Sequence, residues 1–127
     1  MKVFLSVALG GAVGATARYL FENYLGTWVG AGFPWATLTI NVVGGSFMLG
    51  VLVALSALLW SPSATLSAFL VIGVLGGFTT FSAFSLDVIL LAERGRIETA
   101  VLYSLASLSL AVGALFTGLR LTRWIFA

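Results

Sequence analysis

The sequence predicts an all-α membrane protein of four transmembrane helices with the third helix broken in mid-membrane, and three observations carry that reading. Of its 127 residues 61% are hydrophobic and 8% charged, and its mean hydropathy is +1.16. Water-soluble domains carry about 25% charged residues, so lipid as solvent explains the excess better than an oversized core. Four apolar runs reach the length of about 20 residues that crosses a hydrocarbon core of about 30 Å. The third run contains Gly76-Gly77-Phe78-Thr79-Thr80-Phe81-Ser82-Ala83-Phe84-Ser85, where paired glycines and hydroxyls should unwind a helix.

The expected spans run from about Val3 to Phe21, Trp35 to Leu59, Leu66 to Leu91 and Thr99 to Leu119. Short connections separate them: Glu22 to Pro34, rich in Gly, Trp and Tyr as at a membrane interface; Trp60-Ser61-Pro62-Ser63; and Glu93-Arg94-Gly95-Arg96-Ile97-Glu98. Residues 1–127 read as a single domain without repeat or linker. The opening Met1-Lys2-Val3-Phe4-Leu5, with Ala15-Thr16-Ala17 downstream, has the look of a secretory signal. Three further spans follow, so the first segment is expected to be retained.

In the first helix Gly10, Gly14 and Arg18 recur every four residues on one face. The two glycines suit a packing groove, while Arg18 would snorkel or gather anions at a pore mouth. The second helix carries Thr37 and Asn41 one turn apart, then Gly44-Gly45. An asparagine in hydrocarbon should meet a partner helix or a polar path, and either explains it. In the fourth helix Tyr103 and Ser107 lie one turn apart and could extend a polar track. Ser109, Gly113 and Thr117, at spacing four, look like a packing stripe.

An unwound turn at membrane depth leaves backbone groups that lipid cannot satisfy, so it must be buried by protein or line a polar path or ion site. Phe81 and Phe84, at i and i+3, would stack along one side of that turn. Their ring edges carry the positive part of the aromatic quadrupole and could accommodate a small anion in a narrow gap.

Several functions are excluded by what is missing. There is no cysteine and no histidine, and Glu22, Asp87, Glu93 and Glu98 lie outside the apolar centres or near their ends. No carboxylate dyad, metal cluster or activated nucleophile can be drawn, so the chain is not expected to be an enzyme. Six basic and four acidic residues form no block suited to nucleic acid. A small four-helix multidrug or cation exporter remains the alternative, but its type needs a carboxylate in the first helix, and positions 3–21 hold none. A structural subunit would use the glycine stripes but not phenylalanines beside a helix break. What remains is a set of neutral donors, which suits passive conduction because an ion must leave as readily as it enters.

The segment Gly76 to Ser85, with Asn41-Val42-Val43-Gly44-Gly45 and Gly14-Ala15-Thr16-Ala17-Arg18, closely resembles the bacterial fluoride channel family, Fluc or CrcB. The resemblance covers essentially the whole chain. It implies a multi-pass protein of the bacterial inner (plasma) membrane that relieves toxicity by passive export of fluoride. It also implies an antiparallel dual-topology homodimer with two pores, and a structural sodium ion held by backbone carbonyls at Gly76 and Thr79. The fluoride pathway it implies takes in Phe81, Phe84 and Asn41, with Thr37, Thr80, Tyr103 and Ser107 as a polar track and Arg18 at the vestibule. Two departures stand out: Asp87 where the family often has Glu, and Ala111 where some members have another serine.

Charge counting agrees with dual topology. With four spans, Lys2, Arg120 and Arg123 fall on one side and Arg18, Arg94 and Arg96 on the other. Orientation follows the Lys/Arg difference between sides, and a difference of zero predicts insertion both ways.

Overall fold

The computed structural model of the chain describes residues 1–30 and 32–127. Four helices are long and apolar enough to cross a membrane: α1 (Lys2–Gly26), α2 (Trp35–Leu58), α3 (Ala64–Glu93) and α4 (Ile97–Phe126). Both outer helices exceed their expected limits. In α1 the helix runs on through Glu22, Asn23 and Tyr24, where the Asn23 amide donates to the Tyr19 carbonyl at 2.9 Å. At the end of α4 Arg120, Arg123 and Trp124 continue the helix. Apolarity marks only the part that must sit in hydrocarbon, whereas helical hydrogen bonding continues until a cap or turn stops it.

The ends of the inner helices have local causes. Ser63 caps the start of α3, its hydroxyl accepting from the Leu66 N–H at 3.2 Å. Between α3 and α4 the chain reverses through Gly95, whose φ of 74° lies in the left-handed region that glycine enters without steric cost. Arg96 in the same turn donates to the Gly32 carbonyl, which ties this reversal to the connection before α2.

Two stretches are wider than α-helical geometry. Ile40–Phe47 in α2 and Ala68–Leu75 in α3 are π-helical; the N–H of Met48 donates to Val43 and that of Gly76 to Val71, five residues back. Such turns are rare and cluster at functional sites. Apolar periodicity does not distinguish them from α-helix.

Packing is set by glycine. The first half of α3 lies along α1, and α2 lies along α4. A Cβ built on Gly73 would stand 2.8 Å from the Gly10 Cα, and one on Gly77 would stand 2.7 Å from the Gly11 carbonyl oxygen. Gly14 meets the Val74 carbonyl just as closely. These backbones touch because at least one partner in each contact is glycine and carries no side chain, the close approach that small residues permit between membrane helices. The α2–α4 contact uses Gly50 and Gly118, where a Cβ on Gly50 would be 2.9 Å from the Leu119 nitrogen.

This corrects the expectation for α4. Ser109, Gly113 and Thr117 lie on an exposed face, and nothing approaches a Cβ at Gly113 within 4 Å. The packing glycine is Gly118, and the Thr117 hydroxyl turns back to the Gly113 carbonyl at 2.8 Å. The buried centre gathers around Tyr103, which is fully buried with Leu38, Leu91 and Ala100 beside it and Phe33, Phe84 and Val88 packed around them. Most other large apolar side chains face outward.

Candidate functional site

Helical dihedrals stop in α3 after Phe78. Thr79 (φ −80°, ψ 158°) and Thr80 (φ −153°, ψ 120°) are extended, and helix resumes over Phe81–Glu93. The Thr79 N–H still donates to the Leu75 carbonyl at 3.0 Å, as does its hydroxyl. The Thr80 N–H would ordinarily donate to Gly76. It donates instead to Asn41 Oδ1 at 2.9 Å, while Asn41 Nδ2 donates to the Thr80 carbonyl at 3.0 Å. One amide thus satisfies both backbone groups of the extended residue, and the Gly76 carbonyl loses its helical partner.

Thr80 also restarts the helix. Its hydroxyl accepts from the Ala83 N–H at 3.1 Å and sits 3.2 Å from the Ser82 hydroxyl, so it is the N-cap of Phe81–Glu93. The N-terminal N–H groups of that segment have no partner within it, and they carry the positive end of its dipole. Gly45 leaves room for the Thr79 side chain, and Gly44 faces the Phe78 ring.

Around this point lies an open cavity of about 420 Å³. Asn41, Thr79, Thr80, Phe81, Phe84 and Ser107 line it, together with Gly76 and Ala111. Every lining side chain is uncharged. The Phe81 and Phe84 rings are 5.5 Å apart, tilted by 43°, and Phe81 is 79% exposed. Ser107 lines the cavity, and its buried hydroxyl, one turn beyond Tyr103 on α4, makes no close hydrogen bond among the described residues.

From Phe84 the aromatic contact continues to Tyr103, with 5.3 Å between ring centroids. The Tyr103 hydroxyl donates to Asp87 Oδ2 at 3.2 Å, and Thr37, buried one turn before Asn41, lies on the same side of α2. Arg18 stands apart from this group. It lines a second cavity of about 400 Å³ with Glu22, Thr80 and Ser82, and Thr80 is the residue the two cavities share.

Comparison with known proteins fits this arrangement. Residues 5–119 match the family described as CrcB-like protein, Camphor Resistance (CrcB). The chain belongs to that family. CrcB-like relatives span its whole length. A protein of Rhodospirillum centenum named fluoride-specific ion channel FluC is 58% identical over 123 residues, 97% of each chain. Proteins of the same name from Nitrobacter winogradskyi and Agrobacterium fabrum are 48% and 49% identical over 94–95% of each chain.

Sequence reasoning about this CrcB-like chain missed two features of the site. Ser46 lines the larger cavity one residue after the glycine pair, and its hydroxyl beside Gly44-Gly45 was a legible signal. The bond between Asp87 and Tyr103, 16 residues apart, had none, because it depends on how the second half of α3 lies on α4.

Proposed function

We propose that the protein is a passive, fluoride-selective channel of the bacterial plasma membrane, and not an enzyme. The observation that carries this reading is the uncharged, donor-bearing cavity at the extended Thr79-Thr80 pair, in a chain whose relatives are named for fluoride conduction. Fluoride is small and strongly hydrated, so it needs close-range donors to replace water. Neutral N–H and O–H groups and ring edges supply these without a fixed charge that would trap the ion. Hydrogen fluoride entering from an acidic exterior dissociates in the cytoplasm, so a leak for the anion alone is sufficient to export it.

In this reading Phe81, Phe84, Asn41, Thr80 and Ser107 touch the ion, Thr37 and Tyr103 continue the track, and Arg18 draws anions to the vestibule. Two antiparallel copies form two pores along their interface. The outward-facing apolar side chains and the highly exposed Phe81 support a second copy against this face. The carbonyls of Gly76 and Thr79 would hold a sodium ion on the dimer axis. The release of Gly76 from helical bonding supports that assignment, since neutral oxygens suit a hard monovalent cation. Its charge would brace four helix segments whose freed carbonyls otherwise repel.

Liposomes holding the purified protein should release fluoride and retain chloride without any proton gradient. Release of both anions at similar rates would remove selectivity. Dependence on a proton gradient would point to the small exporter instead.

A further inference from the structure

The second cavity is lined by two charged side chains, Arg18 and Glu22, one turn apart on the same face of α1. Both are half-buried, and the remaining wall includes the Thr80 and Ser82 hydroxyls, which sit 3.2 Å apart. Thr80 leads from this mouth to the larger cavity. An arginine alone would give the mouth a positive potential and raise the local concentration of anions. A carboxylate four residues along a helix lies about 5–6 Å away at Cβ, so beyond that distance the two charges largely cancel.

We infer that Glu22 limits anion capture at this mouth: its carboxylate offsets Arg18 and keeps the mouth near electrical neutrality. This rests on the channel reading above. Capture is then weak at low fluoride and less sensitive to ionic strength than Arg18 alone would make it. The carboxylate also repels the ion on its final approach to Thr80, so its effect falls on entry rather than on passage through the larger cavity.

The test is initial fluoride efflux from liposomes carrying wild type, Glu22→Gln, Glu22→Asp or Arg18→Gln, with impermeant gluconate setting ionic strength. At about 0.01 M ionic strength, where the Debye length is about 30 Å, Glu22→Gln should raise efflux at low fluoride about threefold. The gain should disappear at saturating fluoride and at about 1 M ionic strength, where the Debye length is about 3 Å. Glu22→Asp, which keeps the charge, should stay near wild type, and Arg18→Gln should fall below it. Equal efflux for wild type and Glu22→Gln at low ionic strength overturns the inference, as does a gain that salt leaves unchanged or that Glu22→Asp shares. Wild-type liposomes that hold their fluoride would overturn the channel reading itself, a failure distinguishable because it needs no variant.

Discussion

Both polar ends of the Asn41 amide engage Thr80, so this side chain is a backbone substitute first. Its second N–H remains to face the cavity, which makes the packing and pathway readings of Asn41 compatible. Asn41→Ala leaves one backbone donor and one acceptor unmet, and each such loss costs about 1–3 kcal/mol when buried. With both bonds only partly buried, a total of about 2 kcal/mol is expected, read as a lower melting temperature in detergent. Asn41→Asp keeps the acceptor for Thr80 N–H, so it should melt above Asn41→Ala yet conduct worse, because it would set a negative charge on the proposed anion pathway. Wild-type flux in Asn41→Asp would remove the residue from the pathway. Phe81→Ile and Phe84→Ile separate differently. Phe81 is largely exposed within the single chain, so its replacement should leave the packing of that chain nearly unchanged, whereas Phe84 also packs on Tyr103 and its loss should cost about 1 kcal/mol. Both should lower fluoride efflux, since volume largely survives but the electropositive ring edge does not.

At the scale of elements, the contact of α1 with α3 depends on backbones that meet without side chains. Gly73→Ala would press a methyl to 2.8 Å from the Gly10 Cα, and neither partner is a flexible side chain that can yield. Overpacking of this kind costs about 1–3 kcal/mol. Gly113→Ala meets nothing and serves as the control: thermal unfolding should separate the two variants by at least 1 kcal/mol, on the same scale. Equal melting temperatures would mean that α1 and α3 separate at no cost, contrary to the packing described. The π-helical stretches in α2 and α3 flank the extended Thr79-Thr80 pair. Each shifts the register of the residues that follow it, and the cavity draws lining residues from both.

At the scale of the molecule, the balance of Lys2, Arg120 and Arg123 against Arg18, Arg94 and Arg96 supplies no preferred orientation. Two or three lysines added to one terminus should bias every copy to one orientation and abolish fluoride efflux, and coexpression of an oppositely biased copy should restore it. Full activity from a single-orientation protein would exclude the antiparallel dimer and the sodium site on its axis. A pair related by a twofold axis in the membrane plane makes the two ends equivalent, which suits a passive pathway with no built-in direction.

The number of spanning helices was set by the sequence alone, because whether a run of 20 residues prefers lipid is a sum over local transfer energies that no distant residue alters. The same holds for the α1 glycine face, where Gly10 and Gly14 are regularly spaced and meet α3 as a packing stripe should. Tertiary structure decided the rest. On α4 several small-residue stripes look alike in sequence, and only the path of α2 selects Gly118 over Gly113. The partner of Asn41 lies 39 residues away at Thr80, a pairing that spacing cannot reveal because it forms only when α2 crosses α3 at the extended residues. Arg18 was expected at a vestibule, apart from Asn41 and Ser107, but that the two cavities meet at Thr80 depends on how the helices pack. Side chains converge on a site through the angles and separations of whole helices, and those follow from which backbones can touch.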